Sequence, residues 1–173
     1  MEDNYGKIQI YTGDGKGKTT AALGLALRAA GADKNVFIAQ FVKGMHYSEL
    51  VSLEKHDNIS LKQYGRTCFI EKEPVIEDIL AAQTGFSEIK EITTIGIYDI
   101  LILDEIFVAL NYKLIKSEDL LSFVKSKPDD MELIMTGRDA PDEFIEIADL
   151  VTEMKEIKHY FNEGLNARKG IEF

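Results

Sequence analysis

The chain has 173 residues, 45% of them hydrophobic and 29% charged, with a formal net charge of -10. That length is enough to bury a core as one domain spanning residues 1–173, and the acidic balance excludes a general nucleic-acid binder, which needs a basic surface to displace counterions. Cys68 is the sole cysteine, so an internal disulfide and a metal site built from several thiolates are excluded too, and the thiol itself reads as a buried or incidental one.

The first residues, MEDNYGKIQIYTG, lack a basic stretch followed by an apolar run, so no signal peptide is expected. No apolar stretch reaches bilayer-spanning length, and the expectation is a cytoplasmic protein without a membrane partner. KIQIYT (Lys7–Thr12) predicts a strand that runs into a glycine-rich loop. TTAALGLALRAAG (Thr19–Gly31) predicts a helix of strong helix formers that stops at Gly31. NVFIAQF (Asn35–Phe41) is almost continuously apolar, the pattern of a strand buried on both faces, and NISLKQY (Asn58–Tyr64) predicts a third strand. From Pro74 to Ile95, the positions Ile76, Ile79, Leu80, Phe86, Ile89 and Ile92 recur at helical spacing. Gly85 is a point at which that helix would divide in two. YDILILDE (Tyr98–Glu105) predicts a hydrophobic strand ending in two carboxylates. SEDLLSFVKSK (Ser117–Lys127) predicts a serine-capped helix with Pro128 beyond its end, and MELIMTGR (Met131–Arg138) another strand. PDEFIEIA (Pro141–Ala148) predicts a helix with proline in its first turn. LVTEMKEI (Leu150–Ile157) predicts the last strand. Strands alternating with helices imply an α/β fold, a mostly parallel sheet with helices on both faces. Ligands bind such sheets beyond the carboxyl ends of the strands, where the glycine loop and the Asp104–Glu105 pair both fall.

The loop reads TGDGKGKTT from Thr12 to Thr20. A phosphate-binding loop reads G-x-x-x-x-G-K-[ST]. Gly17, Lys18 and Thr19 satisfy its second half, but Thr12 stands at the first glycine position, with Gly13 one residue late. The context otherwise fits, with a strand before, a helix after, and Gly13, Gly15 and Gly17 flanking Asp14 and Lys16. Such glycines let the backbone bring several N–H groups against phosphate oxygens, and the helix N-terminus adds its partial positive charge. Lys18 would bridge the terminal phosphates, Lys16 adds a second cation, and the Thr19 hydroxyl would help to hold a magnesium ion. The competing reading is a glycine-rich surface turn before a helix. ILILDE resembles a Walker B strand, in which Asp104 or Glu105 completes a magnesium shell directly or through water. Its competitor is that these acids cap a helix starting near Ile106. No N-K-x-D segment points to a GTPase, and the four arginines, Arg28, Arg66, Arg138 and Arg168, are too scattered for a kinase lid. The residues alone reach a P-loop nucleotide enzyme and no further.

The segments TGDGKGKTTAALGLALRAAG, FVKG, YDILILDEI, MTGRDAPDEFIEIADLVTEMKEIKH and GLNARKGIEF together resemble the P-loop ATP:corrinoid adenosyltransferases. The resemblance covers nearly the whole chain in motif order, and the family's habitual loop, G-x-G-K-G-K-T-T, accounts for the departure at Thr12. It implies a RecA-like P-loop NTPase fold, a homodimer, and binding of MgATP and a corrinoid. It further implies that reduced cobalt, Co(I), attacks the ribose C5′ of ATP and that triphosphate leaves. No water then needs activating, so Glu105 is a metal ligand with Thr19 and Asp104, not a base. Lys16 and Lys18 stabilise charge as the C5′–O bond breaks. The resemblance also carries Gly13, Asp14, Gly15, Gly17, Thr20 and Arg138 over as nucleotide contacts, with Arg138 alternatively facing the corrinoid or solvent. His159 either touches a substrate or is exposed or structurally bonded, and NARKGIEF either folds back over ATP or frays. Two departures stand out. The family's aromatic pair at the lower cobalt face often includes a tryptophan, and this chain has none; Phe69, with Tyr64 nearby, is the candidate in its place. The chain also begins at the first strand, whereas relatives carry an N-terminal helix that helps to cover the site. A reductant protein such as a flavodoxin is a compatible partner. The rival functions are a P-loop ATPase or kinase doing phosphoryl chemistry, and a nucleotide-dependent protein that delivers corrinoid without alkylating it.

Overall fold

Runs of β-branched and leucine residues set the sheet. All residues of VFIAQF and of ILILD are buried, and strands covered on both sides require helices on both sides. In the computed structural model, which describes residues 6–67, 70 and 73–173, the order is β1 (Ile8–Thr12), α1 (Lys18–Ala30), β2 (Val36–Phe41), α2 (Ser48–Leu53), β3 (Ile59–Tyr64), α3 (Ile76–Ile95) and β4 (Ile100–Asp104). It continues through α4 (Ile106–Asn111), α5 (Ser117–Lys125), β5 (Glu132–Thr136), α6 (Asp142–Ile145), β6 (Leu150–Glu153) and a 3-10 turn at Tyr160–Glu163. The described strands make a six-stranded sheet in the order β3-β2-β4-β5-β1-β6, and every pairing is parallel. The α/β architecture with a parallel sheet is therefore as the alternation of elements predicts.

The period-two alternation of the strands divides the core into two layers. Ile38, Ile102 and Ile134 meet Ala22 and Ala26 of α1 on one face. Phe37, Leu101, Leu103, Leu133 and Met135 meet Phe86 and Ile89 of α3, Phe107 of α4, Leu120 of α5 and Phe144 of α6 on the other. Burying each such side chain contributes about 1.5–3 kcal/mol before the entropic cost of ordering it. Alanines on the inner face of α1 bring that helix close to the sheet, which fixes the phosphate loop at its N-terminus.

The structure corrects several expectations. Gly85 does not divide α3, which runs unbroken from Ile76 to Ile95. Its role is space: a Cβ there would lie 2.3 Å from the Tyr64 ring. Ser117 does not cap α5; Lys116 takes that position, and the Ser117 hydroxyl donates to the Glu143 carboxylate instead. Pro141 is the N-cap of α6 and lies just outside it. The last strand ends at Glu153, because the Met154 carbonyl turns in to accept from the Gly15 N–H at 2.6 Å. Helix α2 was not expected; it has six residues and only Leu53 is buried, too little for a periodic signal. Among the described residues no helix is long and apolar enough to cross a membrane.

Candidate nucleotide site

β5 lies between β1 and β4, so the loop after β1 and the acids after β4 stand about 10 Å apart, two strand spacings. The loop is shaped by its glycines. Gly13 and Gly17 have φ of 94° and 123°, values that L side chains rarely adopt, and a Cβ on Gly13 would sit 2.6 Å from the Met154 carbonyl oxygen. Lys18 is 7% exposed, and its ammonium folds back to donate to the carbonyls of Gly13 and Gly15 at 2.7 and 2.8 Å. Burial holds its pKa below the usual lysine value, against the opposing charge of Glu105. Thr12 is part of the architecture: its hydroxyl accepts from the Ala140 N–H at 3.2 Å and ties the loop after β5 to the phosphate loop.

Thr19 bridges the gap to β4. Its hydroxyl donates to Asp104 Oδ1 at 2.9 Å, and Thr136, at the end of the intervening β5, donates to the same oxygen at 2.7 Å. Asp104 is fully buried. Its Oδ2 accepts from Gln40 Nε2 at 3.1 Å and from Lys43 Nζ at 2.8 Å. Lys43 also reaches Thr19 Oγ1 at 3.3 Å. Burial alone would lower the Lys43 pKa, but the Asp104 carboxylate outweighs it and the ammonium stays above its usual value. Glu105 follows in a left-handed conformation, φ 58°, and its N–H donates to Thr136 Oγ1 at 2.9 Å. Burial first, and then the neighbouring Asp104 charge, raise its carboxyl above the usual range. Glu105 does stand at the N-cap of α4, yet its side chain makes no capping bond, so the helix-cap reading fails for it. The hydroxyl and two carboxylates are all hard oxygen donors. Among the described residues no group of three His, Cys, Asp or Glu side chains forms a complete metal cage.

Other predicted residues gather around the loop in different ways. Arg138 lies across from it, with Nη1 3.8 Å from Asp14 Oδ1, and both side chains are more than half exposed. Thr20 is exposed and makes no side-chain hydrogen bond among the described residues. Lys16 is held by the C-terminal segment: its ammonium donates to Glu172 Oε1 at 2.7 Å, Tyr160 Oη at 2.9 Å and the Ile171 carbonyl at 3.1 Å. Glu172 also accepts from the Tyr160 hydroxyl and from the Arg168 N–H at 2.7 Å, and these donors, Lys16 first, hold its carboxyl far below the usual range. GLNARKGIEF thus folds back onto the loop. His159 has a structural part, its Nδ1 accepting from the Phe161 N–H at 3.1 Å. Phe69 lies outside the described residues, as does Cys68.

Sequence reasoning missed Gln40, Lys43, Thr136 and Glu172. A lone glutamine inside the apolar run of β2 was a usable signal for the first. Lys43 sits in the FVKG segment that carried part of the family resemblance, but no spacing linked it to Asp104.

The profile of the family described as "ATP:corrinoid adenosyltransferase BtuR/CobO/CobP" matches residues 4–173. The corrinoid adenosyltransferase of a Sinorhizobium species is 36% identical over 99% of this chain and 82% of its own length. Corrinoid adenosyltransferase CobA of Salmonella typhimurium is 30% identical over 99% of this chain and 88% of its own. In fold, the chain is similar to the ATP synthase subunit NeqB of Nanoarchaeum equitans, with a TM-score of 0.56 at 16% identity. That match covers 91% of this chain and 47%, about half, of NeqB. The chain belongs to the ATP:corrinoid adenosyltransferase family.

Proposed function

We propose that this chain transfers the 5′-deoxyadenosyl group of ATP to the Co(I) centre of a corrinoid and releases triphosphate. The observation that carries the reading is the 2.9 Å bond from Thr19 to Asp104, which joins a phosphate loop to a strand-end acid in a chain matched by the family over residues 4–173. In the reaction, a cobalt electron pair forms the Co–C bond, the C5′–O bond breaks, and the bridging oxygen leaves with triphosphate. The loop therefore holds a leaving group. Lys18 exchanges the carbonyls of Gly13 and Gly15 for phosphate oxygens, and Lys16 exchanges Glu172 for the same ligand. Both charges then stabilise triphosphate as the bond breaks. Residues 13–20, with the Gly15 N–H already given to Met154, and Arg138 complete the nucleotide contacts, and Phe69 is the aromatic residue proposed at the cobalt face.

The donors Thr19, Asp104 and Glu105 suit magnesium, which prefers oxygen ligands and usually binds through one or two carboxylates plus substrate phosphates. Bound there, the ion would neutralise triphosphate charge. A single domain over residues 1–173, a homodimer, a cytoplasmic setting and a flavodoxin-type reductant complete the proposal. The test is to add MgATP to the protein with chemically reduced Co(I) corrinoid and follow the absorbance spectrum. Appearance of the alkylated corrinoid spectrum supports the reading. An unchanged corrinoid spectrum with ATP converted to ADP overturns it in favour of phosphoryl chemistry.

A further inference from the structure

The cation position between Thr19 and Asp104 is filled by the protein's own lysine. Lys43 Nζ stands 2.8 Å from Asp104 Oδ2 and 3.3 Å from Thr19 Oγ1, the two groups proposed above as metal ligands. With Thr136 and Gln40 added, the buried Asp104 carboxylate has four donors and no spare directed lone pair. The backbone is bent to put Lys43 there. Val42 has φ 57°, a genuine outlier for a β-branched residue, and its N–H donates to the Tyr64 carbonyl at 3.2 Å. Left-handed backbone at a bulky residue is strain that the surroundings must hold in place, and it collects at ligand clamps and switches. On the adjacent strand, Glu105 is left-handed too, so strained residues at the ends of β2 and β4 flank the Lys43–Asp104 pair.

We propose that Lys43 keeps the metal position closed in the nucleotide-free protein and becomes a triphosphate ligand when nucleotide arrives. A divalent cation on the Asp104 carboxylate would stand beside the Lys43 ammonium, and their charges would repel. Metal alone must therefore displace a half-buried lysine from its carboxylate with no phosphate to take the carboxylate's place. Metal carried on ATP brings phosphate oxygens with it, and these are the new partner for the displaced ammonium. Lys43 is 15% exposed at its side chain and lies 5.6 Å from the Tyr47 ring centroid, on the open side of the strand ends. The consequence is ordered loading, with metal entering only with nucleotide. The proposal rests on the assignment of Thr19 and Asp104 as metal ligands.

Manganese binding, read from the electron paramagnetic resonance of free Mn2+, tests it without any turnover. Nucleotide-free wild type is expected to bind Mn2+ no tighter than millimolar, and Lys43→Met at least tenfold tighter, since Asp104 is then released. Lys43→Arg keeps the charge and is expected to stay weak. For Mn2+ with ATP the order reverses, Lys43→Met binding the complex at least tenfold more weakly than wild type. Micromolar Mn2+ binding by the nucleotide-free wild type overturns the proposal whatever the variants do, and so does Lys43→Met that gains nothing. Asp104→Asn separates the two levels. Weakened binding of Mn2+ with ATP in Asp104→Asn, alongside no gain in Lys43→Met, refutes the lysine's role and keeps the ligand assignment. Unchanged binding in Asp104→Asn removes the assignment and the proposal together.

Discussion

Thr12 and Lys18 show how individual residues make this phosphate loop. Thr12 departs from the glycine of the general pattern, and its hydroxyl accepts from Ala140 in the loop after β5. Thr12→Gly is expected to cost about 1–2 kcal/mol, from the lost hydrogen bond and the added backbone freedom, read as a lower urea midpoint. An unchanged midpoint would show that the tie to Ala140 holds nothing. Among the described residues Lys18 hydrogen-bonds only its own loop. Lys18→Ala is expected to lower kcat/KM for ATP by about 100- to 1,000-fold, the usual cost of removing a charge-stabilising donor; near-normal turnover would mean that the loop does not hold the triphosphate. Lys18, Thr19 and Asp104 were legible in the sequence because a continuous motif and a strand end announce them. Lys43 and Thr136 were not, because they reach Asp104 from β2 and β5 across the sheet, and residue spacing says nothing about strand order.

At the scale of elements, α3 illustrates a different limit. Its apolar period was readable, but Gly85 read as a breaker when its purpose is contact with Tyr64 on the next layer. Gly85→Ala should raise helix propensity by about 1 kcal/mol and yet destabilise the fold by about 1–3 kcal/mol through overpacking. A stabilised variant in denaturant titration would restore the hinge reading. The start of α3 depends on Asp78, which accepts from the Val75 N–H at 2.9 Å and from Arg66 Nε at 2.6 Å. The Arg66 bond, more than the Val75 bond, lowers the Asp78 pKa below its usual 3.8. A carboxyl depressed in the folded state stabilises above its unfolded pKa and loses that contribution as pH falls through the folded one. Asp78→Asn should therefore be less stable than wild type at neutral pH, with the gap narrowing below about pH 4. A gap independent of pH would contradict the ion-pair account. The six-residue α2 escaped the sequence because it buries only Leu53, whereas β6 was expected as the last strand and only its end, Glu153 rather than Ile157, was missed.

Across the whole molecule, the C-terminal residues return to the phosphate loop. Glu172 engages Lys16 at 2.7 Å, and the Phe173 carbonyl accepts from the Ser48 hydroxyl at 3.0 Å, so the C-terminal segment runs from the phosphate loop to α2. The repeated strand–helix alternation made the α/β sheet legible, whereas this closure rests on contacts between positions more than 120 residues apart. If Glu172 competes with phosphate for Lys16, Glu172→Gln should bind inorganic triphosphate about two- to fivefold more tightly in calorimetry, the scale of an exposed ion pair. Unchanged affinity would mean that Lys16 keeps its tail contacts when ligand binds. The central claim is that carbon, not phosphorus, is attacked at this loop. ATP labelled with 18O at the ribose 5′ bridging position, supplied with magnesium and reduced corrinoid, tests it directly. The account predicts that all of the label appears in inorganic triphosphate, matched mole for mole by adenosylated corrinoid; label retained on the adenosine side, as ADP or AMP, would contradict it.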